Sequence, residues 1–418
     1  MKTNRLFALG FTFLVACGII RCNIETASGP TPYAAFTGET QSSSTLEIGK
    51  GIKNFAVPGS LPIVNSKTGL VVTLSADTAN KLAMQGRLKS YNIEDGSMTV
   101  DVRDVMGNGT YNTWKVVVGG GELYDSLRPY KQAYTNLGFG MFLHFNMSTF
   151  NRNNCNDCYS VSGEWGVGQG KAPAEEFRPS ALDCGQWADV AKSAGCKYMV
   201  LTTKHHDGFC IWPSQYTEYC VKNATVKTDV CKAFVDSARS RGLKIGFYYS
   251  IRDYSNGYKL SFIKNQLTEL LTNYGEVICL WFDGWGWGPG YQEVPYDSIR
   301  ILIQSIQPHC LIVENNHEFN TTHSQMIEYE MPIDGPPKAT NKLPAEGNEP
   351  IRLDKLWFWH PNKECQIMSA QSIVDQLIQN NSRNAAYLLD LTPDTLGLIP
   401  KCQVDRMKEV GALRGVAQ

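Results

Sequence analysis

The chain carries almost no excess charge of either sign: 39 Lys and Arg stand against 40 Asp and Glu, a formal net charge of -1. No block of like charge occurs, so nothing points to nucleic acid or an anionic membrane surface as a partner. Long low-complexity tracts are missing as well. Histidine is scarce, with seven in 418 residues, and no two take the His-x-x-x-His spacing of a helical metal site. Cys155-x-x-Cys158 has no second pair to complete a zinc site, so a disulfide or free thiols describe it better. No metal and no cofactor is expected. The apolar run from Leu6 to Ile20 is too short for a comfortable membrane span.

What is present points to an extracytoplasmic enzyme. Lys2 and Arg5 precede that apolar run and Arg21 closes it, so residues 1–22 read as a secretory signal peptide. Leu14-Val15-Ala16-Cys17 also resembles a lipoprotein cleavage box, but the apolar Gly18-Ile19-Ile20 stands where a polar tether belongs, which favours simple secretion or a lysosomal destination over a lipid on Cys17. Thirteen cysteines and five Asn-x-Ser/Thr sequons, at Asn108, Asn146, Asn223, Asn320 and Asn380, fit an oxidising route and a glycoprotein. Nine Trp and nineteen Tyr suit a protein that stacks rings on sugars, although aromatics also fill cores.

Residues 23–45, rich in Ser, Thr, Gly and Pro, read as a linker. Short alternating runs over 46–124 predict a small all-β domain of sandwich type. From residue 130 to 418 apolar strand-like runs alternate with amphipathic stretches, the pattern of parallel βα units. The strands are expected at 139–145, 197–203, 244–250, 277–283, 310–316, 325–331, 356–360 and 386–392. Gly195, Gly242 and Gly275 follow helical stretches as C-cap glycines do. Eight such units in about 290 residues match a (β/α)8 barrel, irregular because two late connections do not look helical.

Catalytic groups of such barrels come from the C-terminal ends of the strands. Here those ends hold His144, then Lys204-His205-His206-Asp207, Tyr248, Trp281-Phe282-Asp283, Glu328 with Glu330, and Asp390. Strand side chains alternate, so Trp281 and Asp283 share a face, and so do Glu328 and Glu330. Two carboxyls from different strands in one pocket are what glycosidic cleavage needs, one ionised to attack and one protonated to assist the leaving oxygen. A lone Asp at a strand end is otherwise a helix cap, and His144, His205 and His206 with a carboxylate are also a conceivable metal set. Glu314 is a rival acid.

The run 198–213, with Lys204-His205-His206-Asp207-Gly208-Phe209 at its centre, resembles the signature of the α-L-fucosidases of glycoside hydrolase family 29. So do Phe139-Gly140-Met141-Phe142-Leu143-His144-Phe145, Glu164-Trp165, Gly246-Phe247-Tyr248-Tyr249-Ser250 and Leu280-Trp281-Phe282-Asp283-Gly284. The resemblance covers roughly residues 137 to 290. It implies a retaining exo-enzyme that releases terminal α-L-fucose from an oligosaccharide or glycoconjugate. It also implies that His144, Glu164, Trp165, His205, His206 and Tyr248 bind fucose and that Asp283 is the nucleophile. Trp281 lines a wall for the sugar's methyl group, completed by a Trp of the 357–359 run, with Trp359 the choice. The acid/base is a Glu some forty-odd residues after the nucleophile; Glu328 is the choice, Glu330 the alternative, and Glu346 and Glu349 stay open. An Arg common to the family near the fifth strand is replaced by Glu314-Asn315-Asn316-His317. That departure keeps two other readings in view: a fucose-binding lectin on an impaired barrel, and an α-L-galactosidase.

Overall fold

A computed structural model describes residues 38–57, 71–76, 82–92, 94–118, 127–150, 172–319 and 323–416. The expected signal peptide with Cys17, the expected linker up to residue 37, Cys155, Cys158, Glu164, Trp165 and Asn320 lie outside the described residues. The chain divides into two compact units, Met1–Tyr124 and Asp125–Gln418.

In the first unit, strands β1 (Gly38–Ser42), β3 (Gly51–Ala56), β4 (Val71–Ser75), β5 (Ala83–Tyr91), β6 (Ser97–Met106) and β8 (Trp114–Val118) form one sheet in the order β1-β8-β4-β5-β6-β3. Every pairing in it is antiparallel. β1 falls inside the stretch expected to be linker. Along β6, Met98, Val100 and Val102 are buried while Thr99, Asp101 and Arg103 are less so, the period of two that one covered face imposes. Those side chains join Val72, Leu74, Met84, Trp114 and Val116 in one core. A ribbon of β2 (Leu46–Glu47) and β7 (Thr110–Tyr111) adds Leu46 to that core. Among the described residues the β domain is thus one sheet with a ribbon.

The second unit is a parallel barrel of β9 (Phe139–Leu143), β10 (Tyr198–Lys204), β11 (Lys244–Ser250), β12 (Cys279–Asp283), β13 (Leu311–Glu314), β14 (Ile327–Glu330), β15 (Ala345–Pro350) and β16 (Ala385–Leu391). β9 pairs with both β10 and β16, so the sheet curls round on itself. The seam lies between β13 and β14. There the residues just before β14 serve as stitches: the Gln325 amide N–H donates to the Ile312 carbonyl at 2.8 Å, and the Ile312 N–H donates back to Gln325 Oε1 at 2.8 Å. Ser324 Oγ accepts from the Glu314 N–H at 3.1 Å.

Helices Cys184–Ser193, Val230–Ser240 and Ala370–Ser382 begin on side-chain caps, Asp183, Asp229 and Ser369, each accepting an orphan amide of the first turn. Gly195, Gly242 and Gly275 take φ of 79°, 72° and 69°, the left-handed conformation that stops a helix. Gly140 answers a different need. A Cβ there would lie 2.3 Å from the Tyr198 ring, so the missing side chain lets that ring fill the barrel.

The seventh strand corrects the expectation. It is Ala345–Pro350, not 356–360, which is irregular. Glu346, Asn348, Glu349 and a glycine gave this segment no apolar signature, yet all six residues are buried. Its carboxylates are matched inside the fold. Glu346 accepts from Tyr134 Oη at 2.5 Å, Tyr198 Oη at 2.6 Å and Trp281 Nε1 at 2.9 Å. Glu349 accepts from Tyr387 Oη at 2.9 Å and pairs with Lys355 at 2.7 Å. Buried charge of this kind is tolerated only with such partners.

Cys365 and Cys402 form a disulfide that ties the loop before helix Ala370–Ser382 to helix Lys401–Leu413. Among the described residues, the seven other cysteines are buried thiols. Of the sequons, Asn146 and Asn380 are fully buried, with Asn146 Nδ2 turned to the Thr202 and Phe209 carbonyls, whereas Asn108 and Asn223 are exposed. No helix among the described residues is long and apolar enough to cross a membrane.

Candidate active site

β12 delivers Asp283 to the C-terminal rim of the barrel, level with Ser250 of β11. Its Oδ1 accepts the Gly284 amide at 2.6 Å and its Oδ2 accepts Tyr248 Oη at 2.9 Å. Two residues earlier on the same face, Trp281 stacks on Tyr248 with centroids 5.5 Å apart. Trp281 is almost fully buried and its indole N–H is committed to Glu346. It therefore supports Tyr248 from the barrel interior, below the level of Asp283, where a methyl wall would stand above.

The two adjacent histidines leave β10 on a turn held by Gly208, whose φ is 88°. A side chain on Gly208 would collide with Asp253, at 2.5 Å from Oδ1. Asp253 forms a wholly buried pair with Lys204 at 3.0 Å, and the Lys204 ammonium lies 4.1 Å from the Tyr249 ring centroid. The Ser250 hydroxyl donates to the Arg252 carbonyl at 2.6 Å, so towards His206 Nδ1, 2.6 Å away, it is the acceptor. Nδ1 then carries the proton and Nε2 presents its lone pair to Asp283 Oδ2 at 3.5 Å. Burial, and then the neighbouring His205 and Arg252, hold His206 well below the ordinary imidazole range and so neutral. An acceptor facing a carboxylate calls for a proton between them, which agrees with the direction at Asp283. Burial and the charge of Glu330 push that carboxyl up to about 7.

His144, directly after β9, is fixed by Asp390 of β16. Its backbone N–H and its Nδ1 both meet Asp390 Oδ1, at 3.1 and 2.9 Å, which leaves Nε2 as an acceptor. Burial depresses His144 to about 3. The His205 ring stacks on Tyr248 at 5.4 Å. Phe358 closes edge-on against both His144 and His205, at 5.3 and 4.9 Å, and Trp357 lies 5.0 Å from His144. Of the 357–359 run, Trp357 and Phe358 thus pack on the rim histidines. Buried Arg352 holds this segment by donating to the Phe358 carbonyl and pairing with Asp354. Neither Arg352 nor its role has a signal in the sequence.

The five glutamates differ sharply in surroundings. Glu346 and Glu349 have both oxygens engaged in the barrel wall, as described above. Glu314, on β13, accepts from Tyr291 Oη at 3.2 Å and is pushed up by burial and by the Asp283 charge. Glu328 is turned to the Asn348 amide in the interior, and the charges that raise it beyond burial are Glu330, Asp334 and Glu346, not Asp283. Glu330, at the very end of β14, is the carboxyl of this strand whose charge reaches Asp283. Burial raises it, while Asn315, His317 and the Trp357 indole favour its ionised form. Asn315 Nδ2 donates to Glu330 Oε2 at 2.8 Å. Of the two carboxyls on β14 it is thus Glu330, not Glu328, whose charge acts on Asp283. Glu328 and Glu330 share a face, as alternation requires, and depth along the strand separates them. Among the described residues no group of His, Cys, Asp and Glu is arranged to hold a metal ion.

Parallel barrels carry their chemistry at this rim, and charge-coupled carboxyls from two strands are the equipment for cleaving a glycosidic bond, so fold and site together define the glycoside hydrolase class. The family model for alpha-L-fucosidase matches residues 122–415. Alpha-L-fucosidase 1 of Arabidopsis thaliana is 31% identical over 306 residues, which cover 66% of this chain and 57% of that protein. The human plasma alpha-L-fucosidase is 26% identical over 272 residues, 56% of this chain and 54% of that one. Among solved structures, alpha-L-fucosidase isoenzyme 1 from Paenibacillus thiaminolyticus superposes with a TM-score of 0.59 at 27% identity, covering 69% of this chain and 76% of that one. This chain belongs to the alpha-L-fucosidase family, glycoside hydrolase family 29. It spans a little over half the length of the curated relatives it matches.

Proposed function

We propose that this protein is a retaining exo-α-L-fucosidase acting on terminal fucose of glycans or glycoconjugates, with Asp283 as nucleophile and Glu330 as acid/base. The observation that carries the reading is the coupling of these two carboxyls across the rim. In the first step an Asp283 oxygen forms a bond to the anomeric carbon as the glycosidic C–O bond breaks, and the Glu330 proton passes to the departing oxygen. In the second, Glu330 takes a proton from water, whose oxygen attacks the same carbon and releases Asp283. Two inversions give net retention. The lone pairs of His144 Nε2 and His206 Nε2 accept from sugar hydroxyls. With Asp283 ionised, a sugar hydroxyl between it and His206 Nε2 donates to one of these two acceptors. Trp357 and Phe358 supply the apolar wall for the C6 methyl. A lectin or an α-L-galactosidase is not favoured, since both carboxyls and this wall are in place. The Cys365–Cys402 disulfide supports an extracytoplasmic location, secreted or lysosomal.

The working state has Asp283 ionised and Glu330 protonated. Activity therefore rises with pH as Asp283 loses its proton and falls as Glu330 loses its own. Glu330→Gly is expected to slow hydrolysis of a fucosyl oligosaccharide by roughly a hundred- to ten-thousand-fold, to spare an activated aryl fucoside far more, and to recover with azide. Glu328→Gly should not show that leaving-group dependence. If Glu328→Gly shows it and Glu330→Gly does not, the acid/base assignment belongs to Glu328.

A further inference from the structure

The loop after β13 runs Asn315-Asn316-His317, and His317 takes φ of 55°, a left-handed conformation unusual for a residue with a side chain. This turn brings the imidazole back to the rim. Its Nδ1 lies 3.1 and 3.0 Å from the two oxygens of Asp334, the last residue of the single helical turn that follows β14. Asp334 also accepts the Glu330 amide at 3.0 Å, so the same carboxylate fixes the backbone of Glu330 and the ring of His317. With Nδ1 donating to Asp334, Nε2 faces Glu330 Oε2 at 3.9 Å. Asn315 occupies that oxygen too. Asn315 and His317 thus both sit on Oε2, and the Trp357 indole is a further donor to the same carboxyl.

We infer that His317 is a positioning residue for the reaction: held by Asp334, its ring stands beside Glu330 Oε2 and fixes the orientation of that carboxyl at the rim. The inference rests on the functional reading above. The titratable groups around the pair come from six places: His206 after β10, facing Asp283 at 3.5 Å and neutral; Asp283 on β12; Glu314 on β13, acting on it; His317 after β13; Glu328 on the same strand as Glu330; and Asp334 after it. Of these only His317 brings positive charge, and its influence reaches both carboxyls in the same direction. The sign is definite. Removing the cation makes each carboxyl harder to ionise, so the acid limb, set by Asp283, and the alkaline limb, set by Glu330, both move to higher pH.

The test is the pH profile of kcat/KM for His317→Asn and Asp334→Asn beside the wild-type enzyme. Asn is chosen because it tolerates the left-handed backbone at position 317. His317→Asn is expected to move both limbs upward by roughly 0.5–1 pH unit. Asp334→Asn removes the group that orients the ring but also a negative charge that raises Glu330, so its alkaline limb should lie below that of His317→Asn. Rates lowered equally at every pH, with unmoved limbs, would overturn the inference and mark His317 as structural. The azide experiment on Glu330→Gly is run in parallel. Rescue there with unmoved limbs for His317→Asn rejects only the role of His317, whereas no leaving-group effect for Glu330→Gly rejects the functional reading itself.

Discussion

Asp283→Ala is expected to lower kcat for an aryl α-L-fucoside by roughly four orders of magnitude or more while leaving the fold intact. The size follows from the double displacement, which stops without the group that forms the covalent bond. Tyr248 Oη and the Gly284 amide both donate to Asp283. Folding should survive because the Asp283 side chain is partly exposed and supports no element of the barrel. A chromogenic assay and a thermal melt on the same sample check both statements. Loss of activity together with a large fall in Tm would mean that the residue is structural. Retained activity would mean that Glu314 or another carboxyl attacks.

The second large effect is on stability. Asp253→Ala strands the Lys204 ammonium where no water reaches it, beside the rings of Tyr249 and Phe262. Breaking a buried pair from one side costs about 3–5 kcal/mol, because the remaining charge is uncompensated. The same change removes the acceptor of the Ser255 and Asn256 amides, which shape the turn beyond β11. For a unit of this size the expected fall in Tm is roughly 6–15 °C. The turn carrying His205 and His206 rests against Asp253, so fucose affinity should fall in the folded fraction as well. Differential scanning calorimetry checks the first statement. Asp253→Ala with unchanged Tm would show that the pair contributes little to the barrel.

How far the sequence carried this site depended on the kind of signal each residue left. Strands such as Tyr198–Lys204 and Lys244–Ser250 are continuous apolar runs ending in polar residues, which is how strands covered on both faces look, and their positions were legible. Ala345–Pro350 was not. Its side chains are polar because their partners, Tyr134, Tyr198, Trp281, Tyr387 and Lys355, come from distant parts of the chain, and no periodicity reports a partner. The aromatic run at 357–359 looked like the missing strand for the opposite reason. It is apolar because Phe358 and Trp357 pack on histidines at the rim. Asp283 and the histidine pair were legible because motif and strand end coincide. The choice between Glu328 and Glu330 was not, since alternation assigns a face but not a depth, and two residues along a strand decide which carboxyl meets the rim.

The claim on which the rest depends is that Asp283 becomes covalently linked to the sugar. The direct measurement is incubation with a 2-deoxy-2-fluoro-α-L-fucosyl donor bearing a good leaving group, followed by peptic digestion and peptide mass spectrometry. The fluorine slows both steps, and the activated leaving group allows the first to proceed. The account predicts a single fluorofucosyl adduct on the peptide containing Asp283, formed with loss of activity and released slowly as activity returns. An adduct on Glu314, Glu328 or Glu330 instead, or stoichiometric binding with no covalent adduct, would contradict it.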